Sequence, residues 1–195
     1  MGHPSGQKNE TRARILAGAG RVFRSYGYGA SGVDGLAQAA GVTSGAFYKH
    51  FSSKADVFRD TVVAGLRELA SGIRAFRETS PNGWVRRFVD FYLSDRRTCS
   101  LAESCALQSL TAEVARANDE TRDAYGTELQ EVIEAAAEGL GAPSHATRRK
   151  KTIVLLALLT GGVSLARAVR DPALAEEITE AIRGACVSLP VGKTG

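Results

Sequence analysis

"GVTSGAFYKHF", residues 41–51, sets a glycine before two hydroxyl side chains, then crowds two aromatics, a lysine, a histidine and a third aromatic into its last five positions. Residues 33–51 read as helix, tight turn, helix. Leu36, Ala40, Val42 and Phe47 can face inward together. Ala37 offers a small side chain where two helices approach, and Gly41 suits the left-handed position that stops a helix. This is the pattern of a helix-turn-helix, whose second helix places its N-terminal part in the DNA major groove. In that docking Thr43, Ser44, Gly45 and Ala46 lie at the groove. Their small size lets the backbone approach, and hydroxyls and N–H groups reach phosphate or base edges. Tyr48, Lys49 and His50 donate to phosphates, Phe47 and Phe51 face the core, and Lys54 reaches the DNA backbone again. No Arg, Asn or Gln lies in the segment, so readout is expected to lean on shape and on thymine methyls.

Outward from this stretch, helical periodicity continues in both directions. Residues 1–7 read as a loose tail. From Lys8 to about Tyr26, Ile15, Leu16, Ala19, Val22 and Phe23 recur at helical spacing, and "YGYG" ends the helix. Ser31 with Asp34 forms an S-x-x-D capping box that opens a short helix ending at Ala40. Thr43 or Ser44 caps the next, to about His50. Ser53 with Asp56 signals a long helix over 53–77. After the break "TSPNG" (79–83), Trp84, Phe88, Phe91 and Tyr92 fall on one helical face. Further helices are expected over 100–116, 119–140, 146–170 and 172–188. The fold class is all-α, with about nine helices and no convincing strand. The expected domains are 8–52, the three helices that hold the helix-turn-helix, and 53–190, the helical remainder, with helix 53–77 connecting them.

Bulk composition agrees. The 195 residues are 44% hydrophobic, with five prolines and three cysteines in no C-x-x-C arrangement. Sparse unpaired cysteines and a polar N-terminus point to a reducing, cytoplasmic location. The apolar stretch 153–169 is short for a bilayer and carries Arg167, so no membrane partner is expected. Net charge is +4. Residues 1–60 hold 8 Lys+Arg against 4 Asp+Glu, and the remainder holds 17 of each, so the excess sits in the first third and suggests a polyanion.

Residues 11–58 resemble the DNA-binding domain of the tetracycline-repressor (TetR) family. "TRARIL", "VF" with "GYGASGV", "LAQAAGVTSGAFYKHF" and "SSKADVF" carry the resemblance, in order and at matching spacings. It implies a homodimeric transcription regulator, usually a repressor, that binds a palindromic operator in double-stranded DNA and is released by a small molecule. Ser31 becomes the expected phosphate contact at the start of the second helix, because Gly32 stands where a hydroxyl is common. Gly18 and Gly20 stand where the family often has alanine-like residues, which implies a softer first helix. Ala46 is small where a base-specifying residue is frequent.

For the rest of the chain, Trp84, Phe88, Phe91 and Tyr92 are expected to form core, pocket wall or both. Cys105 is a candidate pocket or sensor residue beside the more ordinary reading of a packed thiol. The apolar stripes hold no cluster of Arg or Lys, so a hydrophobic or aromatic effector is expected and no cofactor or metal. "RRKK" (148–151) reads as a solvated rim offset by glutamates in 128–138. Leu155, Leu158, Leu159, Gly162, Leu165, Ile178 and Ile182 are the expected dimer interface, since residues 146–188 are apolar around too much of the helix for one neighbour. Two rival classes remain. An enzyme lacks any recognisable catalytic or metal motif here. A helical interaction protein that has lost specific DNA binding would bind no sequence better than random DNA.

Overall fold

The computed structural model describes residues 4–189, with side chains from residue 8. Residues 1–3 of the expected tail and residue 190 of the expected second domain lie outside the described residues. Among those described there are ten α-helices and no strand. They are α1 (Pro4–Tyr26), α2 (Val33–Ala39), α3 (Ser44–Tyr48), α4 (Lys54–Thr79), α5 (Trp84–Leu93), α6 (Asp95–Thr98), α7 (Ala106–Val114), α8 (Asp119–Ala137), α9 (His145–Ala168) and α10 (Pro172–Ser188). The all-α expectation holds, and the helix beyond the expected nine is the single turn α6.

Three local differences have physical causes. The helix expected from Lys8 starts at Pro4, a residue that suits the first helical turn because its missing N–H has no intrahelical partner there. The S-x-x-D box at Ser31 does not form. Gly32 is the N-cap without a side-chain bond, and the Ser31 hydroxyl donates instead to the Gly27 carbonyl at 3.1 Å. The helix expected over 100–116 is broken into a 3₁₀ turn (Leu101–Glu103) and α7. Ser104 and Ser109 tie that break together: their hydroxyls lie 2.6 Å apart, one donating to the other, while the carbonyls of Leu101 and Cys105 stand within reach of the remaining proton. Elsewhere the caps follow the expected chemistry: Ser53 accepts from the Asp56 N–H, Ser144 from Thr147 and Asp171 from Ala173.

The chain packs as two compact units, which are not divided by one cut in sequence. The first comprises residues 1–65 and 101–126, the second 66–100 and 127–195. In the first, Ile15, Ala19 and Phe23 of α1, Leu36 and Ala37 of α2, Phe47 of α3 and Val57, Phe58 and Val62 of α4 form the core. Phe23 meets Phe58 edge-on at 5.2 Å, a favoured geometry for two rings. In the second, Trp84, Phe88 and Tyr92 of α5 are almost wholly buried with Leu155, Leu159 and Val163 of α9. Trp84 donates its indole N–H to the Gly139 carbonyl at 2.8 Å, which satisfies the ring's polar atom. Cys186 is buried here, and burial pushes its thiol pKa up to about 11, which suits an inert packing residue.

Candidate nucleic-acid interface

The helix-turn-helix is held by a set of local devices. Gly41 adopts φ +65°. Its N–H donates to Gln38 at 3.0 Å and that of Val42 to Ala37 at 3.0 Å, the paired bonds of a Schellman ending. Arg14 of α1 latches the turn from outside, donating to the Ala40 carbonyl at 3.0 Å and to that of Gly41 at 2.9 Å. Gly18 of α1 lies against the last turn of α2, where an added Cβ would stand 2.8 Å from the Ala39 oxygen. That glycine therefore serves the helix crossing, which corrects the reading that it merely softens α1.

α3 is then set by its own cap. Thr43 accepts the Ala46 N–H at 3.1 Å, and Phe47 is fully buried beneath the helix. This leaves Thr43, Gly45, Tyr48 and Lys49 exposed, with Tyr48 at 57%, and Ser44, Ala46 and His50 half-buried. The Nδ1 of His50 is buried without a hydrogen-bond partner. Lys54, at the start of α4, rests its ammonium 4.0 Å from the Tyr28 ring, a cation–π contact that fixes where the charge sits.

Two expected contacts are placed differently. Ser31 is 5% exposed and its hydroxyl is engaged with Gly27, so its side chain is a turn brace rather than a free phosphate ligand. The Ser44 hydroxyl donates to the Asp34 carboxylate at 2.5 Å, so its proton is already committed within the protein. The basic excess of the first third is also largely structural. Arg12 pairs with Asp60, Arg59 with Asp56, Asp60 and Glu120, and Arg24 donates to the Ala102 carbonyl. Segment 101–126 adds two arginines and five acids, so the first unit holds ten Lys+Arg against nine Asp+Glu. Its remaining cations include Lys49 at the end of α3, Lys54 at the start of α4, and the exposed Lys8 and Arg21 of α1.

The other expected residues fall in several places. Phe76 meets Phe88 edge-on and Phe91 at a tilt, and Phe88 packs on Trp84 and Tyr92, so the aromatic stripe is a continuous cluster in the second unit. Cys105 is the N-cap residue of α7 in the first unit, so it and the stripe are not brought together in one unit. A groove of about 400 Å³ beside Trp84 is lined mainly by charged side chains, Arg74, Arg77, Glu78 and Glu138 among them. A second of about 620 Å³, in the first unit, includes Thr111, Asp119, Asp123 and Tyr125. Burial raises the Tyr125 pKa, offset in part by its bond to Thr111. Among the described residues no group of three or more His, Cys, Asp or Glu is placed to hold a metal ion.

The expected dimer set divides. Leu155, Leu159 and Gly162 point into the protomer, whereas Ile182, though a Cβ on Gly162 would stand 2.7 Å from it, is half-buried. Leu158 and Ile178 are half-buried, whereas Leu165 is 59% exposed. Sequence reasoning missed Ile153, Val154, Leu174 and Val187, which α9 and α10 also present outward. Of the basic run, Arg149 pairs with Glu134, and Arg148 and Lys151 donate to the carbonyls of Ala142 and Gly141.

An all-α chain whose first unit turns two short helices on a left-handed glycine, over a buried aromatic, is a helix-turn-helix protein. Residues 15–61 match the family described as bacterial regulatory proteins, tetR family. It is similar to the HTH-type transcriptional activator FasR of Mycolicibacterium smegmatis, 36% identical over 94 residues, 45% of this chain and 43% of that protein. The chain thus spans less than half the length of this curated relative. Among solved structures, a TetR-family regulator from Cytophaga hutchinsonii superposes with a TM-score of 0.75 at 18% identity, over 96% of this chain and 98% of that one. A transcriptional regulator from Saccharomonospora viridis, solved in complex with choline, gives 0.72 at 18% over 92% and 97%. At such identities the likeness is one of fold.

Proposed function

We propose that the protein is a cytoplasmic transcription regulator that binds a palindromic operator as a homodimer through α3 and is released by a small hydrophobic or aromatic effector. The observation that carries the reading is the outer surface of α3. Thr43, Gly45, Tyr48 and Lys49 are presented to solvent by a helix whose opposite side is anchored by Phe47. Thr43 also caps α3 and Tyr48 meets the Phe47 ring edge-on, but neither role accounts for the outward cation at Lys49. The exposed apolar residues of α9 and α10 support pairing with a second copy. α9 is long and apolar enough to cross a bilayer, but its buried face is the core of the second unit, and four basic residues stand in its first two turns. For the effector, the aromatic cluster and the buried Thr152, whose hydroxyl has no hydrogen-bond partner, support an apolar compound with one polar group.

The test is unbiased selection of genomic and random DNA by the purified protein near physiological salt. An enriched palindrome with half-sites about one turn apart, roughly 34–36 Å, supports the proposal. A folded dimer that enriches nothing would favour the helical interaction protein, and turnover by a Tyr48→Ala variant would favour an enzyme. On an enriched site, Lys54→Ala is expected to weaken binding to all sequences alike and to lower the salt slope by about one per protomer. Filter binding across a salt series measures both, and an unchanged slope would mean that Lys54 does not face phosphate.

A further inference from the structure

Asp34 stands in the first turn of α2 and is exposed. It caps nothing, since Gly32 is the N-cap and no side chain bonds there. Its contact is with the recognition helix: the Ser44 hydroxyl, first residue of α3, donates to its Oδ1 at 2.5 Å. No described ion pair involves it. A bare carboxylate is thus held at the edge of the surface that the proposed docking turns toward a polyanion.

There the charge is unfavourable against every phosphate and every acceptor on a base edge. It is favourable only where the DNA offers a donor. In the major groove the donors are the amino groups of cytosine and adenine. Adenine sets its N7 acceptor beside that amino group, which would repel the second carboxylate oxygen. Cytosine has its C5–H on that side of the amino group instead, so the second carboxylate oxygen meets no ring acceptor of the same base. The serine strengthens this selection. Having given its proton to Asp34, its oxygen can only accept, so the pair offers acceptors alone.

Resting on the docking proposed above, we infer that Asp34 is a specificity-determining residue, which with Ser44 forms an all-acceptor pair selecting cytosine at one position of each half-site. This supplies the base-reading group that "GVTSGAFYKHF" itself lacks.

The experiment compares full-length wild type, Asp34→Asn and Asp34→Ala by selection from random DNA, then by binding to the selected palindrome with each position permuted, at one salt concentration. Wild type is expected to require cytosine at one symmetric pair of positions, with roughly tenfold lost per half-site on replacement. Asp34→Asn is expected to move that preference to adenine, which an amide can bond bidentately, and to leave other positions alone. Asp34→Ala is expected to show no preference there and to bind random DNA more tightly. If both variants keep the wild-type preference at every position, even with weaker binding overall, Asp34 only braces α3 and the inference is overturned. If wild type itself enriches no palindrome, the docking fails first, and the inference falls with it.

Discussion

With glutamate at both Val154 and Leu165, the protein is expected to become a monomer and to lose operator affinity by about a hundredfold or more. Both side chains lie on the outward face of α9, Val154 46% and Leu165 59% exposed, and their separation of eleven residues is close to three full helical turns. Ile153 on the same helix and Leu174 and Val187 on α10 extend the apolar surface. A two-fold contact apposes each patch with its twin, so two substitutions per chain bring four like charges into one interface. An unpaired buried charge costs several kcal/mol, enough to dissociate a dimer of ordinary size. In the monomer the same glutamates are solvated, so folding should persist. Each monomer then engages one half-site, and the gain from linking two recognition helices is lost. Light scattering after gel filtration and binding to the intact palindrome measure the two effects. A variant that stays dimeric would place the interface elsewhere.

This face was the part of the fold least legible in the sequence. α9 is apolar on nearly every side, so periodicity could not separate Leu155 and Leu159, which fill the protomer, from Val154 and Leu165, which do not. The turn at Gly41 was legible because it is local: one residue needs φ > 0, and only the adjoining helix ends decide it. The box at Ser31 and Asp34 satisfied a local pattern yet failed, because the Gly27 carbonyl took the serine and Ser44 took the aspartate. Charge misled for a similar reason. Arg12, Arg14, Arg24 and Arg59 look like a polyanion surface in sequence, and in space each is spent on a carboxylate or a carbonyl. The grouping of 101–126 with the first 65 residues depends on contacts distant in sequence, which no window of residues reveals.

Gly18→Ala is expected to destabilise the protein by about 2 kcal/mol, although within an isolated helix the same change stabilises by about 1 kcal/mol. The added Cβ would lie 2.8 Å from the Ala39 oxygen and 2.9 Å from both the Ala39 carbon and the Ala40 nitrogen. These are backbone atoms, so no rotamer change relieves the contact. The Schellman bonds and the Arg14 latch hold that turn of α2 in place, so α1 and α2 must separate instead. Overpacking against a fixed backbone costs about 3 kcal/mol, which exceeds the gain in helix propensity. Gly126 in α8 is the control, since a Cβ there meets nothing within 4 Å, and Gly126→Ala should stabilise by about 0.5–1 kcal/mol. Denaturant midpoints at one protein concentration compare the two. Because α2 carries the turn into α3, the Gly18 variant should also bind its operator more weakly at temperatures where it remains folded. Equal stability of Gly18→Ala and wild type would mean that the crossing can open at no cost, and that the glycine is not what lets α2 seat against α1.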